Sequence, residues 1–211
     1  MIWSLDIETK NLDISGLSFD NPKGWEISCI CIVNEDNDIY TFTSHNDYLR
    51  VKDSAKSIFR NRLINGDTFQ WHRKSFVDLE QFIYDLEFDK EEDNLIITKN
   101  GAKFDFPIIE EYLGISFEGI NHYDIEKYIF EDCGERYRLS ELIHYHLGAD
   151  EGKLLEAKYA PTLWNQGYYE VVIGYCIDDC YKTLQVYNDA QENGYYCGID
   201  KHGMTLKKVM I

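Results

Sequence analysis

The chain has 211 residues, of which 44% are hydrophobic and 15% aromatic, and it carries a net charge of −17 at pH 7. This length and composition allow a sizeable core and exclude extensive disorder, so we expect one large folded domain. The acidic excess argues against a general nucleic-acid-binding protein, because phosphate backbones are bound by clustered Lys and Arg side chains.

The first part of the chain predicts three strands and a helix. Residues 2–7 are apolar, residues 25–33 are rich in Ile, Cys and Val, and residues 38–43 alternate between polar and apolar side chains. The turn-forming sequence NEDN separates the second and third segments, which therefore read as a hairpin. Apolar residues then recur at helical spacing from Phe76 to Leu86, behind a serine cap.

The second part of the chain predicts alternating strands and helices. The predicted elements, in order, are a strand over residues 95–98, a helix over 106–113, a strand over 121–125, helices over 124–130 and 139–147, an irregular stretch over 149–167, a helix over 168–191 and a hairpin turning at DKHG. This order indicates one α/β layer structure. We assign residues 1–191 to the main domain, with an insertion over about 44–92, and residues 192–211 to a C-terminal extension.

No run of the sequence approaches the roughly 20 apolar residues that a membrane span requires. The opening residues MIWSLDIETK also lack the basic and hydrophobic regions of a signal peptide. We therefore expect a cytoplasmic protein without membrane association, located in the host cytoplasm if its source is viral.

The six cysteines fit an intracellular protein. They form no CxxC pair and no zinc-ribbon spacing. We expect small buried apolar side chains, with neither a disulfide nor a zinc site. The cysteines are Cys29, Cys31, Cys133, Cys176, Cys180 and Cys197.

Residues 50–74 depart from the acidic composition of the chain and have a net charge of +5. The basic residues of this segment are Arg50, Lys52, Lys56, Arg60, Arg62, Arg73 and Lys74. Together with Phe59, Phe69 and Trp71, they form the mixture of cations and rings on which single-stranded nucleic acid stacks. A solvated helix face whose aromatic side chains enter the core is an equally good interpretation.

Asp6 and Glu8 lie at the end of the first predicted strand. Two carboxylates that are two residues apart on a strand face the same side and offer several oxygens to a hard cation. The signal is weak alone, because the chain contains four other DxE pairs: Asp78/Glu80, Asp85/Glu87, Asp89/Glu91 and Asp124/Glu126. We interpret those four as solvated, since they lie in helical or charged surroundings, whereas Asp6 and Glu8 lie at the predicted centre of the sheet.

Two further carboxylates require an explanation. Asp105 lies between Phe104 and Phe106, and charged residues are rarely buried without a partner. The motif NxxxFD that ends at Asp105 is rare for this composition. Tyr175 and Asp179 are four residues apart on a predicted helix and therefore share a face, although Asp178 at a spacing of three also fits.

The motifs SLDIET at 4–9, NGAKFD at 100–105 and YCIDD at 175–179 together resemble the DEDD 3′–5′ exonucleases, in their tyrosine-containing DEDDy branch. They are most similar to predicted exonucleases related to the proofreading domain of B-family DNA polymerases. The resemblance implies a ribonuclease H-like fold, with a mixed five-stranded sheet flanked by helices. It also implies hydrolysis of phosphodiester bonds in single-stranded DNA or RNA, with release of nucleoside monophosphates.

The resemblance further implies a role for each carboxylate around two divalent cations, Mg²⁺ or Mn²⁺. Asp6 would bridge the two ions, Glu8 and Asp179 would bind the catalytic ion, and Asp105 would hold the second ion largely through water. Tyr175 would orient the attacking water through its hydroxyl. The tyrosine-to-aspartate spacing of the family selects Asp179 as the third-motif ligand.

The expected substrate contacts are less specific. The backbone of Thr9 would lie near the 3′ end of the substrate, and Asn100 would anchor the turn between strand and helix rather than bind metal. Lys99 and Lys103 could meet phosphates or simply solvate the surface. The full set of candidate substrate-binding residues is Thr9, Asn100, Lys103, Arg60, Arg62, Trp71, Arg73 and Lys74.

Several alternatives stay open at this point. An exoribonuclease that trims RNA would have the same motifs, since discrimination rests on contacts to the 2′-hydroxyl. A non-catalytic nucleic-acid-binding subunit would be marked by loss of a carboxylate, and all four are present. Bound cations would offset part of the charge, and the remainder predicts weak, salt-sensitive substrate binding or a partner protein that delivers the substrate.

Overall fold

The computed structural model describes residues 1–11, 17–18, 20–51, 69–88, 93–148, 155–199 and 206–211. Within these residues, strands β1 to β6 form one sheet, in the order β4-β3-β2-β1-β5-β6, and β7 and β8 form a second. The strands are β1 (Ile2–Thr9), β2 (Ile27–Asn34), β3 (Asp38–Thr43), β4 (Gln70–Ser75), β5 (Leu95–Thr98), β6 (His122–Asp124), β7 (Tyr195–Ile199) and β8 (Leu206–Met210).

The helices connect and cover these strands. They are α1 (His45–Tyr48), α2 (Leu79–Phe88), α3 (Asp105–Leu113), α4 (Ile125–Cys133), α5 (Leu139–His146), α6 (Ala160–Asn165) and α7 (Tyr169–Asn193). Short 3₁₀ turns, Phe76–Asp78 and Ala157–Tyr159, precede α2 and α6. Helix α3 ends at Gly114, whose φ of 73° is the left-handed conformation that favours glycine. None of the helices described is both long and apolar enough to cross a membrane.

The large sheet is mixed. Strand β2 is antiparallel to both β1 and β3, whereas the pairs β3–β4, β1–β5 and β5–β6 are parallel. Strand β2 is buried along its whole length because helices cover both faces of the sheet. The chain therefore has an α/β fold with a six-stranded mixed sheet flanked by helices.

The two faces of the sheet carry different cores. On one face, Cys29, Cys31 and Val33 pack against the middle of α7. On the opposite face, Ile30 and Ile32 pack in a cluster that also contains residues of α2 and α3. Helix α7 is buried without interruption from residue 172 to residue 181, so it is a core helix lying on β1 and β2.

A third core cluster joins the C-terminal hairpin to the main sheet. Tyr196 of β7 and Val209 of β8 share this cluster with Ile97 of β5 and with residues of α4, α5 and α7. The predicted hairpin is confirmed by the antiparallel pairing of β7 with β8. Its expected turn at DKHG lies outside the described residues.

Two predictions about the fold are wrong. The sheet has six strands rather than five, because residues 70–75 form an edge strand whose polar sequence QWHRKS hides the pattern. The stretch predicted to be irregular contains α6, which begins with Pro161 near its first position, where the missing N–H costs no hydrogen bond. The other predicted strands and helices are confirmed, with ends that differ from the prediction by three residues at most.

Candidate functional site

A cavity of about 220 Å³ opens at the C-terminal end of β1. It is lined by Asp6, Ile7, Glu8, Thr9, Trp25, Lys99, Phe104, Asp105, Ala157, Tyr175 and Asp179. Most of these residues come from β1, from the turn between β5 and α3 together with the start of α3, and from α7, whereas Trp25 precedes β2 and Ala157 begins the 3₁₀ turn before α6. The structure thus brings the four predicted carboxylates, Tyr175 and Thr9 to one cavity.

Three of the carboxylates form a compact group. Asp6, Glu8 and Asp179 each place one oxygen so that the three atoms lie within 4.8 Å of one another. Asp6 and Glu8 point the same way because they alternate on β1, and Asp179 reaches them from α7, which lies on β1. Three like charges at this distance repel strongly, particularly where Glu8 and Asp179 are buried. The oxygen donor set therefore fits a hard divalent cation such as Mg²⁺ or Mn²⁺.

Asp105 enters the same cavity from the first residue of α3 and is buried. Its Oδ1 accepts a hydrogen bond of 3.1 Å from the backbone N–H of Ile7. This N–H is available because β5 pairs only with residues 2–4 of β1. Burial, followed by the negative charge of Asp124, raises the pKa of Asp105 to about 7. Asp105 therefore joins α3 to the strand that carries Asp6 and Glu8.

Asp124 is a residue whose role the sequence analysis missed. We interpreted the pair Asp124/Glu126 as solvated, but both side chains are buried. The carboxylate of Asp124 accepts from the backbone N–H groups of Asn100 and Ala102, at 2.9 Å each, and from those of Glu126 at 2.9 Å and Lys127 at 3.3 Å. It therefore caps α4 and also fixes the turn between β5 and α3.

A sequence signal for Asp124 exists. This aspartate lies between a predicted strand and a predicted helix, which is the position of a helix cap. Strands β5 and β6 are parallel, so their C-terminal ends meet at the same edge of the sheet. An aspartate at the end of β6 therefore lies beside the turn that follows β5.

The turn itself requires unusual backbone geometry. Asn100 has a φ of 72°, in the left-handed region. Its carbonyl accepts from the N–H groups of Lys103 and Phe104. A Cβ added to Gly101 would lie 2.5 Å from the side chain of Thr98, so this position admits only glycine without rearrangement. Asn100 therefore anchors the turn, as expected, and does so through its backbone groups.

Glu126 forms a charge network at the rim of the cavity. Lys99 donates to one carboxylate oxygen of Glu126, and Arg136 lies 3.4 Å from the other. Lys99 also lines the cavity, so it joins this charge network to the site of the carboxylates. We had assigned Lys99 to phosphate contact or solvation, and the structure shows that it is paired with Glu126.

Tyr175 is buried against the carboxylates. Its hydroxyl hydrogen-bonds to Asp179. Burial, followed by the negative charges of Asp179, Glu8 and Asp6, raises the pKa of Tyr175 far above its ordinary value. The hydroxyl therefore stays protonated and acts as a hydrogen-bond donor. Of the two aspartates considered from the sequence, Asp178 and Asp179, it is Asp179 that lines the cavity.

The predicted substrate-binding residues that the structure describes on β4 lie away from this cavity. Trp71, Arg73 and Lys74 lie on β4, at the far edge of the sheet and separated from β1 by β3 and β2. Trp71 donates to the Oγ1 of Thr41 at 3.0 Å, and Arg73 donates to the carbonyl of Val51 at 2.6 Å. These contacts give Trp71 and Arg73 structural roles in the edge of the sheet.

The remaining predicted substrate contacts divide into three groups. Arg60 and Arg62 lie outside the described residues. Thr9 lines the acidic cavity, and its hydroxyl donates to the carbonyl of Asn11 at 3.3 Å. Lys103 is exposed and, with Asn100, lines a neighbouring cavity of about 290 Å³.

No family model matches the chain, and no curated protein matches it at a significant level. What the chain can bind therefore rests on the donor atoms of the cavity, on their burial and on the residues that hold them in place.

Proposed function

We propose that the protein is a metal-dependent 3′–5′ exonuclease that hydrolyses phosphodiester bonds of single-stranded DNA or RNA and releases nucleoside monophosphates. The observation that carries the proposal is the convergence of Asp6, Glu8 and Asp179 with Asp105 and Tyr175 in one cavity. These five residues come from three widely separated segments of the sequence, and they are the positions selected by the resemblance to the DEDDy exonucleases.

The topology supports a ribonuclease H-like fold as the finer description. Strands β1 to β3 form an antiparallel meander, and β5 and β6 extend the sheet in parallel on the other side of β1. The carboxylates lie at the end of the central strand β1, under a long C-terminal helix. This is the arrangement that the resemblance implies, with β4 as an additional edge strand.

The residues present fit a pair of divalent cations. When bound, two Mg²⁺ or Mn²⁺ ions supply an activated water nucleophile and neutralise charge on the phosphate and the departing oxygen. Asp6, Glu8 and Asp179 would hold the first ion, because their oxygens already converge. Asp105, which lies outside that group of oxygens but in the same cavity, would hold the second ion together with Asp6.

Other residues of the cavity would position the substrate and its attacking water. The protonated hydroxyl of Tyr175 lies next to Asp179 and can orient a water molecule at that position. Trp25 and Phe104 pack edge to face, with ring centroids 5.2 Å apart, and form an apolar wall. This wall excludes water from one side of the cavity and offers a flat surface to a sugar or a base.

The net charge limits how substrate is bound. At −17, the protein repels a phosphate backbone over most of its surface. We therefore propose that substrate binding is weak and sensitive to salt, and that a partner protein delivers the strand. Lys99 and the bound cations would provide the local attraction at the cavity.

The proposal is tested by incubating the purified protein with 5′-end-labelled single-stranded DNA or RNA in Mg²⁺, Mn²⁺ or EDTA, and resolving the products by length. We expect a ladder that shortens from the 3′ end, requires metal and is lost in Asp179→Asn. Asp178→Asn is the matched control, since it makes the same change one residue away, and it should retain activity. Circular dichroism of both variants checks their folding.

Two results would contradict the proposal. One is the absence of cleavage of either nucleic acid in any metal by a protein that is folded and binds Mn²⁺. The other is cleavage that persists unchanged in Asp179→Asn, which would assign the activity to a contaminant or to another site. Preference for one nucleic acid over the other would name the substrate.

A further inference from the structure

A second group of metal-ligating atoms lies beside the acidic cavity. Cys29 and Cys31 alternate on β2 and face α7, where Cys176 meets them. The three Sγ atoms lie within 4.8 Å of one another. Thiolates that bind a tetrahedral zinc-type ion at about 2.3 Å are about 3.8 Å apart, so modest side-chain rotation would bring the three sulfurs to that spacing.

The surroundings of the three thiols are apolar and closed. Cys29, Cys31 and Cys176 have no exposed surface and belong to the core cluster that contains Val33 and Ile173. Burial raises the pKa of all three thiols, so without an ion they pack as small neutral side chains. One such cysteine would be explained by packing alone, whereas three convergent sulfurs also make a soft ligand set.

We propose that Cys29, Cys31 and Cys176 bind a thiophilic divalent cation of the Zn²⁺ or Cd²⁺ type, at a site separate from the carboxylates. Binding forms three bonds from sulfur to the metal, and all three thiols release their protons to solvent, because zinc-type ions are bound by thiolates. The resulting centre carries one negative charge, since the cation offsets two of the three thiolates. Cys180, one turn further along α7, lies beside this group with its Sγ 3.3 Å from the carbonyl of Cys31.

The two sites differ in the cation that they favour. Oxygen ligands suit Mg²⁺ and Mn²⁺, whereas thiolates select zinc-type ions. They are also neighbours, because Asp6 pairs with Cys31 and Glu8 pairs with Cys29 across β1 and β2. The thiol of Cys176 donates to the backbone carbonyl of Asp6 at 3.4 Å. An ion on the sulfurs would therefore join β2 to α7 directly behind the acidic cavity, whether or not the protein cleaves nucleic acid.

The test uses the full chain with Cd²⁺ as the probe. Because the three thiols are fully buried, the reduced, metal-free protein is unfolded and refolded with and without Cd²⁺, and circular dichroism verifies refolding. We expect one tightly bound Cd²⁺ per chain and an ultraviolet sulfur-to-cadmium charge-transfer band that survives excess Mg²⁺. Protein purified from zinc-supplemented cells, analysed for metal content without refolding, should likewise hold zinc.

Matched variants identify the ligands. Cys176→Ser and Cys31→Ala should each weaken Cd²⁺ binding at least about tenfold and reduce the band. Cys133→Ser should leave both unchanged, since Cys133 lies on α4 and its thiol donates to the carbonyl of Ile129. Asp179→Asn should also retain the band, which separates the thiol site from the carboxylates. A refolded wild type without the band and without zinc, or a band of equal strength in the folded Cys176→Ser variant, would overturn the proposal.

Discussion

The carboxylate of Asp124 holds the turn that positions Asp105. It accepts hydrogen bonds from the backbone of Asn100 and Ala102, and this turn leads directly into α3, of which Asp105 is the first residue. The same carboxylate raises the pKa of Asp105 through its negative charge. Asp124 therefore affects both the position and the protonation of a proposed metal ligand that it need not touch.

Replacing Asp124 should loosen this arrangement. Asp124→Asn keeps the size of the side chain but leaves one acceptor oxygen for four N–H donors, so we expect a loss of about 1–3 kcal/mol in the free energy of unfolding. Metal-dependent cleavage should fall roughly 10- to 100-fold, as for residues that orient metal ligands. Urea unfolding and single-turnover assays measure the two effects.

Asp85→Asn is the control for this prediction. Asp85 is exposed on α2. Within the described part of the chain, its carboxylate accepts a single hydrogen bond, from the side chain of Gln81. Both the free energy of unfolding and the cleavage rate should stay close to those of the wild type in this variant. Unaltered cleavage in Asp124→Asn would show that the turn holds Asp105 without help from Asp124.

The raised pKa of Asp105 predicts how the metal-free protein responds to pH. Its pKa is about 7 in the folded protein and about 3.9 in an unfolded chain, so the folded state binds more protons between these values. In EDTA, the free energy of unfolding should therefore fall by up to a few kcal/mol as pH rises from about 4 to about 7, and then level off. Chemical denaturation across this range measures the change.

Asp105→Asn isolates the contribution of this one carboxyl group. The amide is uncharged at every pH and its oxygen can still accept from the N–H of Ile7. The decline between pH 4 and 7 should therefore be smaller in the variant than in the wild type. Parallel curves for the two proteins would mean that Asp105 titrates near its ordinary pKa and that other groups cause the pH dependence.

The sequence predicted most of the fold because its elements carry strong local patterns. Strands β1, β2 and β5 are rich in apolar residues, and α7 is long and ends at a glycine. Strand β4 was missed because its side chains are half exposed at the edge of the sheet, where burial imposes little alternation. The basic residues of this segment are more typical of a nucleic-acid-binding surface than of a strand, so the sequence did not predict a strand there.

The carboxylates of the site could be identified from the sequence, but the residues that hold them in place could not. Asp6 and Glu8 lie at the end of a strand, and Asp105 lies in an apolar context, so each can be recognised from its neighbours in the sequence. Asp124 acts through the backbone of Asn100, which is 24 residues away in sequence. Glu126 acts through Lys99, which is 27 residues away. Such contacts depend on which parallel strands are neighbours, and a single sequence does not specify that order.

Tyr175 should affect the chemical step more than metal binding. Tyr175→Phe removes the hydroxyl that donates to Asp179 while keeping the buried ring. Because the proposed metal ligands remain, Mn²⁺ affinity should change little, whereas the cleavage rate should fall about 100-fold. Tyr181→Phe changes another buried tyrosine, which lies further along α7, and this control should cleave at the wild-type rate. Equal loss of Mn²⁺ binding and cleavage in Tyr175→Phe would instead indicate a role in holding the metal.

Lys99 should contribute more to substrate binding than the basic edge strand. It lines the acidic cavity and is held there by Glu126, whereas Lys74 lies on β4, beyond β3 and β2. We expect Lys99→Met to weaken binding of single-stranded nucleic acid roughly tenfold and to reduce the salt slope by about one. Fluorescence anisotropy of a labelled strand in Ca²⁺, at several salt concentrations, measures both values.

Lys74→Met is the matched control, since it removes the same charge from the surface and should leave binding unchanged. The buried carboxylate of Glu126 is paired with both Lys99 and Arg136. Lys99→Met removes the first of these ion pairs and leaves the second, in which a guanidinium nitrogen of Arg136 lies 3.4 Å from the carboxylate. Some loss of thermal stability is therefore expected, and anisotropy is measured well below the unfolding transition. A large effect of Lys74→Met together with none of Lys99→Met would place the path of the strand along β4, as the sequence first suggested, and away from the cavity rim.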